Sequence, residues 1–249
     1  MDNIKSISGK YTSLILPPPH AYEIIFKTTF LKEKINLSLD VTYINREEIS
    51  IEELEEEGFS GKDDFHWKGD LPSNWNKRLQ QLLINKSQPQ QHPEGEEIEI
   101  SVEDDKGRIR NIEANEDWIY FGQELYQASL EGAKIENPLL IKIIELEEKK
   151  VQYNIKLSFY QLELVISILE NGSATKEQSV GWTLGKKLME EIFYPDYHPE
   201  KATNKTPSGR GVWIDPGEGI WYNMATDVKV GQQPYDKFKI TRILKEIIS

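Results

Sequence analysis

Two long stretches in which apolar and polar residues strictly alternate constrain the fold of this chain more than any other feature. The first covers residues 35–43 and the second covers residues 151–159. Strict alternation places every second side chain on the same face, which is typical of half-buried antiparallel strands. A shorter alternating run begins at Tyr22 and is followed by a charged turn, so residues 22–43 are predicted to form a β-hairpin.

The second half of the chain repeats the order of features in the first half. The matched positions are Ile25 with Ile143, Trp67 with Trp182, Lys77 with Lys186, His92-Pro93-Glu94 with His198-Pro199-Glu200, Gly107 with Gly219, and Asn111 with Asn223. The order of the matches is kept, and their offset changes only across loops. This pattern indicates an internal duplication.

These features predict an α+β fold made of two similar halves of about 110 residues, each with antiparallel β-hairpins and interspersed helices. The halves are expected to be related by a pseudo-twofold axis, so that the single chain resembles a dimer. The predicted bounds are residues 1–21 for an extended lead-in, 22–134 for the first half and 138–249 for the second. Three prolines at residues 17–19 exclude a helix from the end of the lead-in.

The charge of the chain is negative and unevenly distributed. The formal net charge is −12, and residues 94–170 carry 8 basic and 18 acidic side chains, a net charge of −10. Because a duplex nucleic-acid binder needs clustered Lys and Arg to neutralise phosphates, this composition argues against one. An acidic surface favours a basic protein as the partner.

Composition also bears on the chemistry and the location of the protein. The absence of cysteine excludes disulfides, thiolate metal sites and cysteine nucleophiles. No window approaches eighteen consecutive apolar residues, and the first residues do not resemble a signal peptide. We therefore expect a soluble cytoplasmic protein without a membrane partner.

No common catalytic motif is present: the sequence has no phosphate-binding loop, dinucleotide fingerprint or nucleophile elbow. Six side chains are candidate ligands for a divalent metal: Asp63, Asp64, His66, Asp196, His198 and Glu200. The alternative is that Pro195 and Pro199 mark a solvated turn around His198. We favour that alternative, so neither a metal nor a cofactor is predicted.

A cluster of aromatic residues follows a long loop rich in proline and glycine at residues 194–211. Arg210, Trp213, Trp221 and Tyr222 could together stack on a base, a sugar or a peptide side chain. In the alternative arrangement, Trp213 and Trp221 face each other across a hairpin and are buried. The loop itself is expected to contribute little buried area, so that deletion of residues 201–208 would leave the fold intact.

These observations predict a non-enzymatic binding or regulatory module that acts on a protein partner, for example as an inhibitor or immunity-type partner of a basic toxin. Two alternatives stay open, namely a metal-dependent hydrolase that uses the Asp, His and Glu residues above, and a single-stranded nucleic-acid binder that uses the Trp-rich second half. The candidate partner-binding residues are Arg210, Trp213, Trp221, Tyr222, His198 and Glu200.

Overall fold

A computed structural model describes residues 4–13, 16–84 and 96–248 of the chain. These residues form α-helices and antiparallel sheets, which confirms the predicted α+β fold. The chain divides into two compact units: Met1–Glu136 with Phe159–Gln161, and Asn137–Ser158 with Leu162–Ser249. Across the described ranges, no helix is long and apolar enough to cross a bilayer. The His-Pro-Glu triplet at residues 92–94 lies outside these ranges.

The first unit contains a six-stranded antiparallel sheet, here called the first sheet. Its elements in chain order are β1 (Ile4–Ser13), β2 (Tyr22–Phe30), β3 (Ile35–Tyr43), α1 (Ile51–Glu56), β4 (Phe65–Leu71), α2 (Asn74–Ile84), β5 (Glu96–Asp104), β6 (Ile109–Ile112) and α3 (Glu116–Gly132). The strand order is β4-β3-β2-β1-β5-β6. Tyr22 pairs with Tyr43 and Phe30 with Ile35, so the hairpin predicted over residues 22–43 is confirmed.

The core of the first unit lies on one face of the first sheet. The ring of Phe121, on α3, lies 5.8 Å from the ring of Phe26, on β2, and 5.9 Å from that of Trp75, on α2. All three side chains are fully buried. Helices α2 and α3 therefore cover the same face of the first sheet, because the alternation of strand side chains places Phe26 on that face alone.

The second unit contains a second six-stranded antiparallel sheet and a smaller three-stranded one. Its elements are β7 (Leu139–Leu146), β8 (Lys150–Ser158), β9 (Glu163–Glu170), β10 (Ser173–Val180), α4 (Trp182–Phe193), β11 (Asp196–Tyr197), β12 (Gly211–Asp215), β13 (Tyr222–Asn223), β14 (Val228–Val230), β15 (Gln233–Pro234) and α5 (Lys239–Ile248). The large sheet has the order β10-β9-β8-β7-β12-β13, and the small sheet has the order β11-β14-β15.

The two six-stranded sheets have the same topology. In each, a four-stranded meander is followed by a helix, a hairpin that adds beside the first strand of the meander, and a closing helix. This shared order supports the duplicated arrangement. The repeated unit differs in detail from the predicted hairpins with interspersed helices. Each half begins with a four-stranded meander rather than with a two-stranded hairpin.

Two of the residue matches drawn from the sequence join elements that are not equivalent. Ile25 lies on the second strand of its meander and Ile143 on the first, while Trp67 lies in a strand and Trp182 begins a helix. The physical reason is that every half-buried strand has the same alternation of apolar and polar residues. Alternation therefore does not show which strand of the meander a segment will form. Strand β1 pairs with both β2 and β5, and the first sheet therefore begins before residue 22, where the predicted first half starts.

Candidate functional site

The candidate site is the open face of the first sheet, defined as the face opposite α2 and α3. The side chains on this face alternate with the buried ones and are at least partly exposed; they are Ser8, Lys10, Ile25, Lys27, Ser38, Asp40, His66, Lys68, Glu97, Glu99, Ser101 and Asn111. The open face is thus a polar and charged surface that contains two exposed isoleucines, Ile25 on β2 and Ile109 on β6. Antiparallel sheets commonly have one buried and one solvated face of this kind.

Three serines contribute to a trough that crosses several strands of the open face. Ser8 pairs in register with Lys27 on β2 and with Ser101 on β5, and Lys27 pairs in turn with Ser38 on β3. Because serine side chains are short, the surface at these three positions is lower than at the longer side chains around them. The trough encloses about 870 Å³ and is open to solvent.

Ile25 lies in the middle of the open face and lines the trough. Its register neighbours are Lys10 on β1 and Asp40 on β3. Ile25 is 49% exposed, in a position where alternation would favour a polar residue. An apolar side chain within a polar and charged rim is a common arrangement in protein–protein interfaces.

Lys10 is held at one side of the trough by an ion pair. Its Nζ lies 2.6 Å from Oε2 of Glu23. The hydrogen bond and the charge of Glu23 raise the pKa of Lys10, and the charges of Glu99 and Glu97 raise it further. The direction of this shift shows that the electrostatic potential around Lys10 is negative.

Three other polar contacts involve charged side chains on the open face. Lys5 lies 2.7 Å from Glu103, while Lys27 is 3.8 Å from the same carboxylate. The contacts of Glu103 lower its pKa, and the hydrogen bond from Lys5 is the main cause. Nδ1 of His66 lies 2.6 Å from Oδ1 of Asp40. The charged groups on this face are therefore paired with neighbours at several separate places.

The candidate partner-binding residues predicted from the sequence lie in the second unit, and the structure does not join them into one site. Arg210 is 2.6 Å from Glu147, which also lies 3.1 Å from Lys237. The hydrogen bonds from Arg210 and Lys237 lower the pKa of Glu147. Arg210 lines a second, smaller groove of about 420 Å³, in which its guanidinium is paired with this carboxylate.

The aromatic residues of the second unit are divided between a surface and the core. Trp213 is partly exposed and donates from Nε1 to the carbonyl oxygen of Gly209 at 3.1 Å, while Trp221 and Tyr222 are buried. The prediction that Trp213 and Trp221 face each other is wrong, since Trp213 pairs with Asn223. The turn is centred on Glu218 rather than on the glycine before it, which shifts the register.

Several of the acidic and histidine residues proposed as metal ligands form hydrogen bonds or ion pairs within the protein. Nδ1 of His198 lies 3.2 Å from Glu200. In the first unit, Asp63 accepts a hydrogen bond from Arg46 at 2.7 Å, and the backbone N–H of Tyr43 donates to Asp64. Within the described parts of the chain, no group of three or more His, Cys, Asp or Glu side chains could hold a metal ion.

The loop at residues 194–211 is more ordered than its composition predicts. It contains β11 and a 3-10 helix at Pro199–Lys201, and Thr203 forms a backbone bridge with Trp221. The bridge has two hydrogen bonds, of 2.7 and 3.0 Å, and Pro207 is buried. This loop therefore contributes backbone contacts to a buried part of the second unit.

Deletion of residues 201–208 should consequently destabilise the second unit, contrary to the expectation from sequence. The loss of the Thr203–Trp221 bridge and of buried Pro207 is expected to lower the free energy of unfolding by about 2 kcal/mol. Urea unfolding followed by tryptophan fluorescence measures this change. Lys205→Ala, which alters only an exposed side chain of the same segment, is the control and should have wild-type stability. Wild-type stability of the deletion variant would contradict the prediction.

Comparisons of the chain with protein-family models, with curated proteins and with solved structures find no match.

The open face of the first sheet was missed by reasoning from sequence, although one signal was present. In the run that begins at Tyr22, alternation places Ile25 on the same face of the strand as Glu23 and Lys27. An apolar residue is therefore present on the face that is expected to contact solvent. That signal became informative only once the neighbours of β2 were known.

Proposed function

We propose that this protein is a non-enzymatic binding module that acts on a protein partner, and that the open face of the first sheet contacts this partner. The observation that carries the proposal is the exposed position of Ile25 in a trough rimmed by charged side chains. Apolar residues that partners desolvate contribute most of the energy in many interfaces, and the polar residues around them exclude water.

The arrangement of charges on the open face favours binding over catalysis. Catalytic groups converge on one reacting atom, at distances of about 3 Å. Here Lys10 is paired with Glu23 and His66 with Asp40, on different strands of a broad surface. Such paired groups suit the recognition of an extended surface.

The strands that line the trough also make it a preformed binding surface. The lining residues come from β1, β2, β3, β5 and the end of β6, which are joined by continuous antiparallel pairing. A surface held by sheet hydrogen bonds loses little conformational entropy when a partner binds. We therefore expect the backbone of this face to move little upon binding.

Site-specific photo-crosslinking tests the proposed function. The full chain is prepared with benzoylphenylalanine in place of Ile25, mixed with a lysate of its own cells and irradiated. Discrete protein adducts are expected. An excess of the unlabelled wild-type chain should prevent them, whereas an excess of the Ile25→Asp chain should not, because a buried unpaired carboxylate opposes desolvation of the trough.

Ile51 provides a matched control for this experiment. It is an isoleucine of the same unit, lies on α1 and is 74% exposed, so benzoylphenylalanine is at least as accessible there as at position 25. Circular dichroism checks that each variant is folded. Equal adducts at positions 25 and 51, or no adduct at position 25, would overturn the proposal.

A further inference from the structure

We infer that the partner of the open face presents a basic protein surface, with Arg or Lys side chains that pair with carboxylates at the β5 end of the trough. This inference rests on the proposed function and specifies the chemistry of the partner. It follows from which charges of this face are already paired within the chain and which are not.

The carboxylates at the β5 end form no close contact with a cation within the described residues, although the charges of Glu97 and Glu99 act on Lys10. Glu97 and Glu99 are exposed on β5, and Glu113 is exposed directly after β6; none of the three makes a hydrogen bond or an ion pair there. Glu99 and Glu113 line the trough. Glu97 and Glu99 are two residues apart on one strand and thus on the same face, roughly 7 Å from each other.

The basic side chains of the same face neutralise this end only in part. Lys10 is the register neighbour of Glu99, but its Nζ is paired with Glu23. Lys27 is nearest to Glu103, and Lys68 lies on β4, roughly 19 Å from β5 at the usual spacing of strands. The β5 end therefore keeps an excess of negative charge, and the exposed Ile25 lies across β1 from it.

A basic protein surface complements both properties. Arg and Lys side chains would remove the repulsion among these carboxylates, and Arg can donate two parallel hydrogen bonds to one carboxylate. An apolar side chain of the same partner could cover Ile25. A second copy of this chain bound through the same face fits poorly, since it would place like-charged carboxylates opposite each other, and a nucleic acid would be repelled.

A titration of the isotope-labelled full chain, followed by NMR, tests this inference. The probes are a synthetic peptide of alternating arginine and leucine and its counterpart of alternating glutamate and leucine. The arginine peptide is expected to shift the amide signals of β1, β2 and β5, and the glutamate peptide is expected to leave them unchanged. Raising the salt concentration should weaken binding of the arginine peptide, because exposed charges are screened.

Neutralisation of the three carboxylates identifies the groups responsible. The variant Glu97→Gln/Glu99→Gln/Glu113→Gln should bind the arginine peptide about tenfold more weakly, as expected for the loss of three exposed ion pairs. The control is Glu52→Gln/Glu55→Gln/Glu56→Gln on α1, which removes the same charge from an equally exposed acidic helix and should bind like the wild type.

Several outcomes would overturn the inference. They are equal weakening by the two triple variants, equal binding of the two peptides, signal changes away from the open face, displacement of the arginine peptide by millimolar magnesium, and dimerisation of the chain through this face. The photo-crosslinking experiment separates this failure from that of the proposed function. If adducts at position 25 persist in the triple variant with unchanged yield, the partner is not recognised by these charges, although the open face still binds it.

Discussion

Substitution of valine for Gly9 is expected to lower the free energy of unfolding of the first unit by about 3 kcal/mol. Gly9 lies on β1, on the face covered by the helices, with Phe26 and Ile100 as its register neighbours. A Cβ atom at this position would overlap the ring of Phe26 and lie 2.7 Å from Cδ1 of Ile100. Both neighbours are buried, so neither can move aside without disturbing the core beneath the trough.

Two further variants make this prediction specific. Gly61→Val introduces the same side chain at an exposed position with no atom within 4 Å, and it should change stability little. In the double variant Gly9→Val/Phe26→Ala, the space left by the ring should accommodate the valine, so the double variant should lose less stability than the two single losses combined. Urea unfolding followed by circular dichroism measures the wild type, the single variants Gly9→Val, Phe26→Ala and Gly61→Val, and the double variant. Equal stability of the two glycine variants would contradict the predicted overlap.

Arg78→Leu is expected to destabilise the first unit by about 3–5 kcal/mol, since it leaves a buried carboxylate without its cation. Nε of Arg78, on α2, donates to Oε2 of Glu124, on α3, at 2.9 Å. A second contact, from Nη2 to Oε1, measures 3.4 Å. The two side chains are only 13% and 6% exposed. This pair links the two helices that cover the inner face of the first sheet.

The double variant Arg78→Leu/Glu124→Leu distinguishes loss of the pair from loss of helix packing. Replacement of both partners removes the buried charge, and much of the lost stability should return. The urea midpoint of each protein, and the slope of its transition, provide the measurement. A wild-type midpoint for Arg78→Leu, or a double variant no more stable than the single one, would show that the pair does not hold α2 and α3 together.

Local patterns were sufficient to predict many individual elements. Alternation over residues 22–43 predicted β2 and β3. Gly107 has a φ of 75° in the turn between β5 and β6, a conformation that favours glycine. Trp118, Phe121 and Leu125 have the i, i+3, i+7 spacing that is typical of an amphipathic helix, and they lie on α3. Each of these depends on neighbours within a few residues, and periodicity reports such neighbours directly.

The candidate site could not be predicted in the same way, because its members are far apart in sequence. Ser8, Ser38 and Ser101 share a trough only because β1 pairs with β2 on one side and with β5 on the other. The second pairing joins residues separated by nearly the length of the unit. The alternation of apolar and polar residues in β1 and in β5 does not predict that these two strands will pair.

The sequence by itself determined the α+β class, the duplicated arrangement and most hairpins, because these follow from side-chain alternation, turn residues and the repeated order of features. Only the tertiary structure decided the position of β1 within the first sheet, the burial of Trp221 and Tyr222, and the contact of Arg210 with Glu147. It also decided that Ile25 would be exposed on the same face as the carboxylates of β5. Strand order and register are set by packing among distant segments, and the chemistry of a surface depends on which segments become neighbours.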